Sequence, residues 1–139
     1  MQGECLCGNV QFEIDGEIPN LYQCHCSLCR KATGAAASAA TFVPGNSFRW
    51  VSGENEIRSY QKPSGYRSDF CSVCGSPVPN ILRSTDMVWV PAGLLDGLAT
   101  SRVSVHLHTT SAALWEEESA ECIRFDGGPD SLESLNKLL

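Results

Sequence analysis

Basic residues are scarce in this 139-residue chain: 10 Lys and Arg stand against 16 Asp and Glu, a formal net charge of −6. Binding a nucleic-acid backbone needs clustered Lys and Arg, so this balance excludes nucleic acid as a partner. Long apolar runs are missing as well. Crossing a bilayer takes about 20 consecutive apolar residues, and the longest run of small residues, Ala35 to Ala40, is short and broken by Ser38. No membrane role is expected. The opening Met1-Gln2-Gly3-Glu4 has neither the basic nor the apolar region of a secretory signal, so a cytoplasmic protein is expected. Internal repeats, low-complexity linkers and charge blocks are absent, so a single domain over residues 1–139 is expected. With 42% hydrophobic residues the chain has enough apolar material for its own core, which excludes a disordered tail.

Helical periodicity is also thin. Cys26 to Thr33 reads as a turn or short helix, and Leu94-Leu95-Asp96-Gly97 as a turn. The best helix is the tail from Asp130 to Leu139, with Pro129 before it, Asp130 or Ser131 as its cap, and Leu132, Leu135 and Leu139 on one face for core packing. Elsewhere short segments alternate apolar and polar residues between Gly, Pro, Asn and Ser punctuation. Val10 to Ile14, Phe48 to Val51, Ile57 to Tyr60, Met87 to Val90 and Val103 to Leu107 all read as strands. Ser52-Gly53-Glu54-Asn55 has the composition of a hairpin turn between the second and third of these. The fold class is mainly β.

What the chain has in excess is cysteine, 8 residues in all. In a reducing compartment such a cluster is metal-binding or catalytic rather than disulfide-bonded. Cys5-Leu6-Cys7 places two thiols on the same side of an extended segment, and Gly8 lets the chain turn behind them. Cys71-Ser72-Val73-Cys74-Gly75 is a knuckle whose two sulfurs converge on one ion. Together the pairs supply the four soft ligands of a closed structural zinc, although four thiolates also suit iron. Cys24-His25-Cys26-Ser27-Leu28-Cys29 differs, because it offers three thiolates and so an open fourth position, the design of catalytic zinc. His25 lies between two ligands in alternation and should point away from the metal. Cys122 falls outside the pattern and reads as a buried, unpaired thiol. Disulfides among all the cysteines, and a thioredoxin-type site at Cys71 and Cys74, fit less well. No export signal accompanies the first, and Pro77 and Pro79 follow where the second needs a helix.

With these residues assembled, the sequence resembles the glutathione-dependent formaldehyde-activating enzyme family, which also contains centromere protein V. The resemblance is carried by Gly3-Glu4-Cys5-Leu6-Cys7-Gly8-Asn9-Val10, by Cys24-His25-Cys26-Ser27-Leu28-Cys29-Arg30-Lys31-Ala32-Thr33-Gly34, and by Phe70-Cys71-Ser72-Val73-Cys74-Gly75-Ser76-Pro77. Phe48-Arg49-Trp50, Ser52-Gly53 and Tyr60 add to it. It implies a β-tent (Mss-four-like) fold of small antiparallel sheets, here with a short C-terminal helix. It also implies one structural zinc on Cys5, Cys7, Cys71 and Cys74 and a second zinc on Cys24, Cys26 and Cys29. The implied activity is that of a carbon–sulfur lyase, with glutathione–formaldehyde adduct formation as the namesake reaction.

A zinc held by three thiolates is net anionic and a weak electrophile. It therefore suits holding an incoming thiolate that attacks an aldehyde carbon. A competing mechanism places water or the carbonyl oxygen on the metal. Cys24, Cys26 and Cys29 are thus the expected catalytic centre, with a small-molecule thiol or its aldehyde adduct as partner. Arg30 and Lys31 follow the third ligand and are candidates for offsetting its charge or holding a substrate carboxylate, with two solvated surface cations as the plain alternative. Gly34 lets the chain pass close to the site or simply turn. His106 and His108 sit at i and i+2 of an expected strand. The family often has a histidine at the place of His106, so His106 is a candidate substrate-binding residue, set against an ordinary strand histidine. Trp115 and Phe125 read as core. The alternative function is a non-catalytic, zinc-stabilised binding module.

Overall fold

Alternation along Gln11–Ile14 buries Phe12 and Ile14 and leaves Gln11 and Glu13 partly in solvent, as a strand with one face on a core must. The same logic builds most of the molecule. The computed structural model describes residues 1–116 and 122–139. The chain runs β1 (Gln2–Glu4), β2 (Gln11–Ile14), β3 (Leu21–Cys24), α1 (Ser27–Thr33), β4 (Ser38–Pro44), β5 (Phe48–Ser52), β6 (Ile57–Gln61), β7 (Arg67–Cys71), β8 (Pro77–Val78), β9 (Asn80–Ile81), β10 (Met87–Pro91), β11 (Val103–Leu107), β12 (Ile123–Arg124) and α2 (Leu132–Asn136). Three sheets result, ordered β1-β2-β5, β12-β11-β3-β4-β10-β9 and β6-β7-β8. This is the mainly β architecture of small sheets expected from the resemblance.

One departure concerns strand direction. β11 runs parallel to β3 on one side and to β12 on the other, whereas the remaining pairings are antiparallel. A parallel neighbour needs a long return connection, and the one from β3 to β11 passes through most of the chain. In this register Val105 and Leu107 share a face with Tyr22 and Cys24, and these four pack with Ala40, Phe42 and Leu135 in the largest core cluster. His106 falls on the other face, opposite Gln23. A second cluster gathers Phe12, Ile14, Val43, Val88, Val90 and Leu95 between the first two sheets. The third is small, made of Cys5, Val10, Cys71 and Val78, so two of its four residues are candidate metal ligands.

Phe48–Val51 and Ile57–Tyr60 are strands, but they form no hairpin. β5 pairs with β2 and β6 pairs with β7, in different sheets. The aromatic content of β5 decides this. Phe48 stacks on Phe12 at 5.4 Å and Trp50 meets the same ring edge-on at 6.0 Å, which draws β5 onto β2. The expected turn becomes a corner between sheets. At its apex Gly53 has φ +73°, and a Cβ there would fall 2.0 Å from the Asn9 carbonyl oxygen.

Ser131 caps α2 by accepting a hydrogen bond from the Ser134 amide, and the helix is shorter than the expected tail. Leu135 enters the core, with Leu132 and Leu139 packed against it. Gly34 has φ +67° and ends α1 as its C-cap, and a Cβ there would meet nothing within 4 Å, so it turns the chain rather than admitting a close approach. Phe125 packs on the core as expected, but Trp115 does not and is 73% exposed. β11 stops at Leu107, and a left-handed His108 followed by a tight turn at Thr109–Ser111 carries the chain out over the surface before Trp115.

Gly53→Ala is expected to lower stability by about 2 kcal/mol or more in metal-replete protein, since left-handed strain adds to a steric clash. Gly34→Ala meets only the strain and should cost about 1 kcal/mol. Urea denaturation of the two variants side by side measures the difference.

Candidate metal centres

β1 ends beside a tight turn in which the Gly8 amide donates to the Cys5 carbonyl at 2.9 Å and the Cys5 amide to the Val10 carbonyl at 3.0 Å. Gly8 has φ +73°, which lets that turn close. The end of β7 makes a second turn, where the Gly75 amide reaches the Cys71 carbonyl at 2.8 Å and the Cys71 amide the Ser76 carbonyl at 2.9 Å. The Leu6 amide crosses between the turns to Ser76 Oγ at 3.1 Å. The four sulfurs of Cys5, Cys7, Cys71 and Cys74 then lie within 4.8 Å of one another. Sulfurs around a tetrahedral ion with bonds of about 2.3 Å sit about 3.8 Å apart. Cys5 Sγ and Cys7 Sγ are 3.5 Å apart, and Cys7 Sγ and Cys71 Sγ 3.9 Å, so the donor set fits such an ion. The Val10 amide lies 3.3 Å from Cys5 Sγ, and hydrogen bonding from Ser76 holds the Cys74 thiol down to about 5.

The second cluster forms where β3 meets α1. Cys24 ends the strand, buried in the core, Cys26 caps the helix, and Cys29 lies in its first turn. The Cys29 amide lies 3.5 Å from Cys26 Sγ, so one sulfur is both helix cap and candidate ligand. The three sulfurs are within 4.8 Å of one another. Hydrogen bonding from Cys29 lowers the Cys24 thiol to about 5, and the same contact, with burial, drives Cys29 far upward. Three sulfurs this close resist ionising together when left to themselves. Placing an anion on each requires a cation among them.

His25 leaves the opposite face of β3. It is 2% exposed, with Nδ1 2.9 Å from Glu116 Oε2 and Nε2 2.8 Å from Nδ1 of His106. With Glu116 Oε2 accepting a hydrogen bond from the Nδ1–H of His25, the His25 Nε2 is left to accept from the Nδ1–H of His106. Burial first, and then the charges of His25 and Arg124, hold the His106 ring below the ordinary histidine range. A pocket of about 350 Å³ opens over this chain of groups, behind the sheet rather than beside the sulfurs.

In front, Cys29 opens into a cleft of about 880 Å³ walled by Tyr22, Phe42, Tyr66, Trp89 and Leu135, with Arg83 among its cations. The Tyr22 hydroxyl accepts the indole N–H of Trp89 at 2.7 Å. Burial, followed by the charge of Cys29, Cys26 and Cys24, pushes Tyr66 up to about 12 and Tyr22 further still. Both phenols stay protonated. Arg67, on the same cleft, is spent on Asp69, with Nε 2.7 Å from Oδ1.

The sequence model of one family, described as the glutathione-dependent formaldehyde-activating enzyme, matches residues 1–111. The chain belongs to that family. A relative from Halomonas elongata, which bears that enzyme's name provisionally, is 31% identical, with 94% of this chain and 89% of the relative covered. A crystal structure of a Rhodobacter sphaeroides protein superposes with a TM-score of 0.58 at 27% identity, covering 75% of this chain and all of the other.

Against the family pattern, the seven clustered cysteines come together as their spacing implies. The remaining candidates are scattered. Arg30 donates from Nε to the His25 carbonyl at 3.2 Å and so braces the strand-to-helix corner, while Lys31 stands in solvent. Neither they nor His106 wall the cleft beside Cys29. His108 does not continue the β11 face, because its left-handed backbone takes it off the strand and toward the Cys24 side, where its charge helps lower that thiol. Cys122 is half-buried, its thiol donating to the Val103 carbonyl at 3.3 Å. Tyr22, Tyr66, Trp89 and Arg83 were missed from sequence. Only Tyr22 carried a signal, being two residues before Cys24 on the same strand.

Cys29→Ser is expected to remove one bound metal per chain and leave the near-ultraviolet dichroism intact. Cys71→Ser should lose the folded state, because metal binding at the four-cysteine cluster is itself folding free energy. Elemental analysis together with dichroism separates the two outcomes.

Proposed function

We propose that this chain is a zinc-dependent carbon–sulfur lyase that makes and breaks the C–S bond of a thiol–aldehyde adduct, with two zinc ions per chain. One observation carries the reading: the Cys24, Cys26 and Cys29 sulfurs converge where Cys29 opens onto the large cleft, whereas the other cluster supplies four sulfurs. Tetrahedral sites of thiolates favour zinc, and a site short of one ligand is the reactive kind. When bound there, zinc would supply deprotonation and retention of an incoming thiol sulfur at neutral pH.

The chain's own residues supply binding, orientation and exclusion of water. Arg83 forms no ion pair among the described residues and faces the cleft, so it is placed to take a carboxylate of the thiol. Glutathione, named in the family's description, has such carboxylates, and the local arginine offsets the repulsion expected from a net charge of −6. Phe42, Trp89, Leu132 and Leu135 supply an apolar wall that dries the site and strengthens each polar contact within it. Arg30 holds the His25 carbonyl and with it the corner that aims the thiolates.

Substituting cobalt for the metal tests this directly. Adding glutathione should change the visible absorption of one of the two cobalt sites, and Cys29→Ser should abolish that response. A protein with both metals whose spectrum ignores thiols would be a zinc-stabilised binding module instead. Arg83→Ala should weaken glutathione binding roughly tenfold, the loss of one charge-assisted hydrogen bond, as read in the same titration.

A further inference from the structure

The phenol of Tyr22 is clamped in place and has one hydrogen-bonding function left over. Its ring stacks on Phe42 at 5.1 Å and 14°, inside the core cluster that also contains Cys24, and the residue is 7% exposed. Trp89 donates its indole N–H to the hydroxyl oxygen at 2.7 Å. That bond uses the acceptor side of the oxygen and fixes where its proton can lie. Among the described residues no protein group accepts the proton, although the side chain lines the same cleft as Cys29. A buried donor left unmet costs about 1–3 kcal/mol, so one that faces a cleft is met by water or by a ligand that displaces it.

We propose that Tyr22 is a catalytic residue whose hydroxyl donates to the aldehyde oxygen of the substrate, and so stabilises the oxyanion that forms when the C–S bond is made. This rests on the lyase reading of the three-cysteine site. In the forward step the thiolate sulfur gives an electron pair to the carbonyl carbon, forming the C–S bond. The C=O π pair moves onto oxygen, which gains a full negative charge. Tyr22 donates its hydrogen bond to that oxygen without giving up its proton; water protonates the oxygen to the hemithioacetal hydroxyl, and the hydroxide left behind is neutralised by the proton the thiol lost on becoming thiolate. Cleavage runs the same steps in reverse: the hydroxyl loses its proton, the carbonyl re-forms, and the sulfur leaves as thiolate. The hydrogen bond is strongest when the oxygen is charged, so it favours the transition state over either end. Trp89 acts through Tyr22 and is a positioning residue.

The test uses cobalt-substituted protein with glutathione and formaldehyde. Tyr22→Phe keeps the ring and its stacking and removes only the hydroxyl. It should bind glutathione alone within about twofold of wild type by cobalt absorption, yet cleave the adduct on the order of 100-fold more slowly. Independently of activity, the Trp89 indole resonance should shift when the adduct binds wild type and stay unmoved by the thiol alone. In Tyr22→Phe the adduct should no longer move it. Trp89→Phe, which frees the phenol to rotate, should give a smaller rate loss with thiol binding preserved. A Tyr22→Phe protein that cleaves within threefold of wild type, or an indole resonance indifferent to the adduct, overturns the role of Tyr22 and leaves the lyase reading standing. A wild-type protein whose cobalt spectrum ignores glutathione overturns both.

Discussion

The four sulfurs of Cys5, Cys7, Cys71 and Cys74 lie within 4.8 Å of one another and could hold one cation between two sheets. Cys5 and Cys7 follow the first strand, Cys71 and Cys74 close the seventh, and their sulfurs are near enough that ionising all of them without a counter-charge is prohibitive. The buried apolar residues around them are Val10 and Val78, with Trp50, Ile57 and Leu94 partly buried against them, a small core for joining two sheets. Hydrogen bonds from Leu6 to Ser76 and within each turn aim the sulfurs at one another. An ion held by these four cysteines would join the first and third sheets by coordination where a larger protein would use a core.

The second constraint is simple alternation along β3. Because neighbouring side chains leave opposite faces of a strand, Cys24 and His25 are committed to different sides of the central sheet. The front receives the three sulfurs, the cleft and the two phenols, with an apolar wall behind them. The back receives the histidine pair and Glu116 in a continuous hydrogen-bonded chain. The Arg30 guanidinium grips the carbonyl of His25 at the point where the two sides meet. Rear and front thus share one backbone segment, and the polar chain behind the sheet helps hold rigid the corner that presents the thiolates.

Much of this was legible before any coordinates. Cysteine spacing separated a filled cluster from an incomplete one, because ligand number and spacing are local properties. Alternation around Cys24 gave the direction of His25 for the same reason. What failed depended on partners distant in sequence. The Ser52–Asn55 segment has turn chemistry, yet Phe12 competes for the aromatic face of β5 and wins, so the hairpin opens into a corner. Arg30 and Lys31 are adjacent to a ligand in sequence, but a helix turns its residues around an axis, and adjacency there does not mean a shared face. Arg83 comes from the turn between β9 and β10, and nothing local to it announces that the turn lines the cleft onto which Cys29 opens. Trp115 misled because an aromatic residue implies burial, while the left-handed step at His108 had already taken the chain off the sheet.

The parallel placement of β11 also bears on how the protein is made. Contacts that seat this strand beside β3 link residues 82 apart in the chain, such as Arg102 and Asn20. A ribosome adds about 5–20 residues per second, so the triplet cysteines emerge roughly 4–16 s before the strand that backs them. During that interval Cys24 lacks the Leu107 and Val105 that later bury it beside Tyr22. The nascent thiols must pass it in the company of solvent, reductant or metal ions, and a chain that captures its metal early has the least to lose in waiting.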